Sequence, residues 1–426
     1  VAKNNLLFKN IRLVIPGKGI DQPQDLLVRE GKIAGIGKDL RPEPADEIIE
    51  LPNAHVSIGW MDVGVYVGDP GFEHREDVDS AAKAAAAGGF TAIASMPNTH
   101  PAVHSKSEVA YIRNKSAGGP VTFFPIGAVS HDCAGKDMAE LYDMHTAGAV
   151  AFADGAQSIQ DGGLLLRALE YSKAFKGLII NRPHDKSIAS GGQMHEGVVS
   201  TSLGLKGLPA LAEHLVVQRD LSLLEYAGKG ARLHIHLISA AHSVALIRAA
   251  KAAGLPVTAS VAIANLCLSD ADMAMEEGAS PFDSNLKVMP PLRTPFDRDA
   301  LIEGVLDGTI DFIVTNHSPW DEEAKKLEFP YADFGMNGLE TAFSLYTMYL
   351  QNRIPLDRWI DAAAVQPRKI LGLAVPELAV GSPANLTIFD PEKEWTLTAA
   401  NMQSKSRNSP FLDKLLKGKV LRVVAF

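Results

Sequence analysis

Metal-assisted hydrolysis needs neutral imidazoles and carboxylates around the ion. It also needs one open position for hydroxide and a carboxylate to move the proton. The residue types for such chemistry are present in this 426-residue chain: His234-Ile235-His236, His184-Asp185, His317, Asp62 and Asp154. Asn98, after Pro97, and Arg293, after Pro290-Pro291-Leu292, could orient a polar ligand. Each also has a plainer reading. A histidine without converging partners is usually packed or hydrogen-bonded. His317 follows Asn316 on an alternating segment and points off its axis. Asn98 suits a turn after proline, Gly88-Gly89 suits a helix-to-strand turn, and the charged run 321–328 suits a solvated loop face. We therefore expect His234, His236 and His317 to be structural.

The candidates gain meaning from the elements that carry them. From Val56 to Gly372 the chain repeats strand, loop and helix. Strands are expected at 56–62, 91–96, 121–128, 149–153, 178–182, 232–238, 256–261 and 311–316, and helices at 77–87, 136–146, 164–173, 240–253 and 297–306. Eight strands alternating with helices over about 260 residues suit a (β/α)8 TIM-type barrel, whose chemistry sits at the C-terminal strand ends. A doubly wound sheet is the alternative. Short strands at 6–15, 24–28, 32–35 and 47–50, and again at 384–390 and 415–426, point to a small β-domain built from both termini. Residues 1–55 and 375–426 would form it, and 56–374 the barrel.

An apolar fraction of 46% with 21% charged residues excludes global disorder. Fifty acidic against 41 basic side chains, net −9, argue against nucleic acid or an anionic membrane as the partner. Two cysteines, Cys133 and Cys267, supply neither a disulfide framework nor a cysteine-rich zinc site, and a reducing, cytoplasmic setting is expected. No apolar run is long enough to cross a bilayer.

Several segments, in order along nearly the whole chain, resemble the dihydroorotase branch of the amidohydrolase superfamily. They are Asp69-Pro70-Gly71, Ala86-Ala87-Gly88-Gly89-Phe90-Thr91, Met96-Pro97-Asn98-Thr99, Pro290-Pro291-Leu292-Arg293, Gly338-Leu339-Glu340-Thr341 and Ser404-Lys405-Ser406. Met96-Pro97-Asn98-Thr99 and Asn408-Ser409-Pro410-Phe411 favour dihydroorotase over hydantoinase or allantoinase. The resemblance implies an amidohydrolase barrel with a small β-domain. It also implies zinc, and the reversible cyclisation of N-carbamoyl-aspartate in cytoplasmic pyrimidine synthesis.

Carried over position by position, the family's site is missing. Its strand-one His-x-His falls on Gly64 and Tyr66, and the arginine that follows falls on Gly68. Its paired acids after strand four fall on Asp154 and Gly155. A ligand histidine falls on Arg182 and a glutamate on His184. Alignment through Ser239 and Ser243-Val244 puts the next ligand histidine at Leu237, a register in which His234 and His236 face away from the mouth. The Pro-His-His motif reads Ile263-Ala264-Asn265. Asn316 stands at the ligand and general-base aspartate, Trp320 at a histidine and Met289 at a substrate asparagine.

Gly64, Gly155 and Leu237 offer no ligand atom, Arg182 is a permanent cation, and Asn316 cannot take a proton as a carboxylate does. With no catalytic residue left at the base position, we expect a chain that kept a fold and lost its chemistry. It would hold no zinc, have no dihydroorotase activity, and act as a structural or regulatory partner of aspartate carbamoyltransferase in a homo- or hetero-oligomer. Arg182 is expected to occupy the metal's space and pair with Asp154 or another mouth carboxylate. Asn98, Arg293, His184 and Asp154 are expected to line a residual pocket. Two other readings stand beside this one. One is an active amidohydrolase with a relocated or metal-independent site using Asp62, Asp154, His184, His236 or His317. The other is a metabolite-binding module using Asn98 and Arg293.

Overall fold

The computed structural model describes residues 5–20 and 22–426; expectations for residues 1–4 and 21 lie outside it. The strand Trp60–Val65 pairs in parallel with Phe90–Ser95, which pairs with Thr122–Pro125. Across the barrel, Ile179–Asn181, Leu233–Ile235, Val257–Ala262 and Phe312–Val314 form a second parallel arc in chain order. The segment around Phe152 joins the arcs on one side: Phe152 bridges Gly127 and Ile179, and Val150, Ala151 and Ala153 add backbone bonds to Pro125 and Gly127. The ring closes where the Thr315 N–H donates to Asp62 Oδ1 (2.9 Å) and the Tyr66 N–H to the His317 carbonyl (3.1 Å). This is the (β/α)8 barrel, and the open-sheet alternative falls.

Alternation along these strands explains the two layers. Met61, Val63, Ala92, Ala94, Ile180, Phe312 and Val314 fill the lumen. Trp60, Ile93, Ile179, Leu233 and Ile313 meet the helices outside. Helix starts carry their own signals. Asp77 and Ser80 make a capping box for Val78–Ala87, and Thr294 caps Pro295–Asp307 ahead of a first-turn proline. Such caps contribute about 1 kcal/mol each.

A second sheet is built from both ends of the chain. Asn5–Ile15 pairs with Gln24–Arg29, Asp46–Glu50 and His55–Ile58. His55–Ile58 pairs with Asn385–Thr396, which pairs with Leu415–Ala425. It docks where the barrel strands begin, opposite the mouth. Thr387 Oγ1 donates to the Gly89 carbonyl (2.6 Å), and the Gly59 N–H donates to the Asn385 carbonyl (2.8 Å).

The expected strand 56–62 is in fact two, broken at Gly59. A Cβ there would lie 2.2 Å from both Asn385 Oδ1 and Thr91 Oγ1. The stretch 149–153 forms an isolated bridge at Phe152 rather than a full strand, with further backbone bonds from Val150, Ala151 and Ala153. The expected helix 136–146 begins at Leu141, after a turn with Asp132 and Cys133 in the left-handed region. Both cysteines are buried and free. No helix among the described residues is long and apolar enough to cross a membrane.

Candidate functional site at the barrel mouth

At the C-terminal strand ends lies a cavity of about 360 Å³, lined among others by Tyr66, Asn98, Arg182, Met289, Asn316 and Phe334. Tyr66, Arg182 and Asn316 each sit just past a barrel strand. Three strand ends bend sharply to place these groups: Gly64 has φ +89°, Leu237 +61° and Asn316 +54°. Left-handed backbone is free for glycine but costs about 1–3 kcal/mol for other residues.

The bend at Leu237 overturns one expectation. His234 and His236 face the lumen by ordinary strand alternation, and the bend brings Leu237 to the same side. A Cβ on Gly64 would lie 2.5 Å from His236 Nε2, so the imidazole covers the backbone where the resemblance places the first ligand. His236 Nδ1 is hydrogen-bonded to Ser260 Oγ (2.9 Å), while its Nε2 is buried without a partner among the described residues. Burial, aided by the nearby Arg182 charge, holds its pKa down at about 3. His234 bonds Thr258 and the same Ser260 and stacks on Phe312 at 4.7 Å.

Arg182 also departs from expectation. It lines the cavity, but among the described residues its guanidinium pairs with no carboxylate. One Nη2 proton goes to the Ala156 carbonyl, and Nε is buried without a partner. Burial lowers its pKa, and burial raises that of Tyr66 facing it. Asp154 is instead held by Val129 and Ser130. Val129 N–H (3.0 Å) and Ser130 N–H (2.9 Å) donate to Oδ1, and Ser130 Oγ (2.6 Å) to Oδ2.

The four residues expected in the pocket are not brought together. Asn98 is on the cavity wall, where its amide clamps a turn: Oδ1 accepts from Ala156 N–H (2.8 Å) and Nδ2 donates to the Asp154 carbonyl (3.1 Å). That clamp explains Gly155, since a Cβ there would fall 1.8 Å from Asn98 Oδ1. Asp154 lies behind the wall. Arg293 is buried elsewhere, against Glu213 (3.3 Å), Ser239 Oγ (2.7 Å) and His195 Nδ1 (3.2 Å). His184 is half-buried beside the site, its pKa lowered to about 4 by burial and then by Arg182.

The relocated-site candidates are likewise dispersed. Asp62, with a pKa raised to about 6 by burial, is held by Thr315 and Val63. His317 is held by Glu76 (3.4 Å) and the Gly338 N–H (3.3 Å). Among the described residues no three His, Cys, Asp or Glu side chains converge as a metal would require. The positions the resemblance assigns to ligands hold Gly64, Tyr66, Gly155, Arg182, Leu237 and Asn316. This donor set, with a permanent cation in it, does not fit zinc.

Sequence reasoning missed the far wall, Asp333-Phe334-Gly335. Its loop is pinned by two buried lysines. Lys325 Nζ donates to the carbonyls of Ser284 (2.6 Å), Asp333 (2.7 Å) and Gly335 (3.0 Å). Lys287 Nζ donates to those of Phe329 (2.8 Å), Pro330 (3.1 Å) and Ala332 (2.6 Å). So the run 321–328 is not wholly a solvated face. Trp320 donates to the Phe334 carbonyl (3.0 Å) and stacks under Arg75 at 4.0 Å.

This barrel, with a sheet drawn from both ends and a mouth at its C-terminal face, has the amidohydrolase fold. The L-hydantoinase (dihydropyrimidinase) of Arthrobacter aurescens superposes with a TM-score of 0.84 at 25% identity, over 99% of this chain and 96% of that one. The dihydropyrimidinase of Brevibacillus agri shares the fold at TM-score 0.82 and 20% identity, over 99% and 94%. The family described as dihydro-orotase-like matches residues 55–243. A dihydroorotase of Citrifermentans bemidjiense is 39% identical over 99% of this chain and 98% of its own length. One of Pelotomaculum thermopropionicum is 41% identical over 97% and 95%. The chain belongs to the dihydroorotase family.

Proposed function

We propose that this family member serves pyrimidine biosynthesis without zinc and without turning over dihydroorotate, as a structural or regulatory partner of aspartate carbamoyltransferase. The observation that carries the reading is Arg182. A permanent cation, half-buried with its Nε fully enclosed, stands among the positions where the resemblance puts a dication, and like charges there repel. The other replacements agree with it. His236 occupies the space over Gly64, and Asn316 cannot serve as a base. Leu237 and Asn316 keep strained backbone at aligned ligand positions with no ligand to justify it.

The partner is supported by the resemblance to inactive dihydroorotase-like chains that accompany the transferase, and by a fold left complete after its site was lost. Three measurements on one preparation test the reading. Elemental analysis after dialysis should give much less than one zinc per chain. Dihydroorotate hydrolysis should be undetectable, because nucleophile generation and proton transfer are lost together. Gel filtration with the transferase at micromolar concentration should show comigration. Stoichiometric zinc or measurable turnover would sink the inactive reading, and separate elution would sink the partner.

A further inference from the structure

We propose that the emptied barrel mouth is a binding site for a small monocarboxylate anion, with the Arg182 guanidinium as its anchor. The inference rests on the metal-free reading above.

Arg182 is a charge without a counter-charge among the described residues. Arginine stays protonated and carries five N–H donors. In this chain only the Ala156 carbonyl accepts from Arg182 among the described residues, and Nε lies buried with no partner. A half-buried cation without a counter-charge is unfavourable, so the site gains by an anion that reaches it. The guanidinium opens onto the cavity of about 360 Å³, at the small end of ligand-sized pockets. Tyr66 faces it, and Asn316 spends only its amide nitrogen, on the Met289 carbonyl (3.1 Å). Met289 and Phe334 give the cavity apolar surface for a short carbon chain.

Charge selects the anion. One guanidinium balances one negative charge, and its planar fork matches the two oxygens of a carboxylate. Asp333, on the opposite wall, opposes a dianion such as phosphate. His236 cannot supply a second positive charge, since it is neutral near pH 7.

The test uses the full chain, dialysed, at fixed ionic strength and pH 7.5. Sodium propionate at tens of millimolar should raise the Tm by about 1–3 °C, as expected for a ligand that binds only the native state. Its neutral isostere propionamide, and inorganic phosphate, should not. Arg182→Met should abolish the propionate shift while leaving the ligand-free Tm equal to or above that of the parent. If the variant does not fold, the parent protein decides alone. A propionate shift matched by propionamide, or exceeded by phosphate, overturns the proposal, as does no shift. Zinc content is measured on the same material. Stoichiometric zinc would fell the metal-free reading itself, whereas metal-free protein that ignores propionate would fell only the anion site.

Discussion

His236 is the residue whose titration should be felt most clearly. Its pKa is about 3 in the folded chain, from burial first and Arg182 second, against an ordinary 6.5. Between these values the unfolded chain binds a proton that the folded chain refuses. The contribution is therefore complete above pH 6.5 and is lost as pH falls, by about 1.4 kcal/mol per unit. Urea denaturation of the parent and of His236→Gln at pH 7 and pH 5 should show the parent losing about 2 kcal/mol more; equal losses would mean the ring is not held neutral. Gly64 offers a second measurement. Gly64→His would restore an imidazole where the family has one, but into φ +89° and against His236 and Met96. We expect a cost of about 2–4 kcal/mol in denaturant titration, with no gain of zinc. Tight zinc binding by that variant would contradict the reading of the site.

At the scale of elements, the mouth's far wall depends on Lys325 and Lys287, whose ammonium groups each hold three backbone carbonyls of the segment around 284–335. Lys325→Met leaves three carbonyls without that donor. Amide hydrogen exchange should quicken across 326–335 and stay unchanged in the strand Phe312–Val314. Uniform exchange would place the pin elsewhere. The helix Leu211–Ala227 is tied differently. Its Glu213 accepts from the N–H groups of Ser239 and Ala240, both at 2.9 Å, and faces Arg293. Arg293→Met should cost about 3 kcal/mol, because it strands a buried carboxylate that keeps only part of its shell. The same variant should leave any propionate response intact, which separates this pair from the mouth.

Across the whole molecule, the repeating strands and the sheet from both ends were legible because each follows a period set by backbone geometry. The 17-residue helix Leu211–Ala227 was not, because its inner face carries Glu213 and Asp220 among apolar residues and so blurs the 3.6-residue stripe. Glu213 is paired by Arg293, and Asp220 by Asn181 and by its neighbour Arg219; Arg293 and Asn181 are distant in sequence. The emptied ligand positions were readable through the resemblance. What filled them was not. No pattern announces that Leu237 adopts left-handed backbone, which brings it into the lumen beside His236. Nor does any pattern show that Asp154 would be satisfied by the N–H groups of 129 and 130, which left Arg182 without it.

The shared sheet also sets a timetable for synthesis. Thr91 Oγ1 bonds Asn385 Oδ1 (2.7 Å) across 294 residues, and His55–Ile58 finds its partner strand in the same late stretch. At ribosomal rates of roughly 5–20 residues per second, the first barrel strands wait about 15–60 s for that neighbour. Throughout this interval one edge of the N-terminal sheet stays bare, an invitation to the wrong strand on a crowded polysome. The nascent chain thus needs shelter at its beginning until its end has been made.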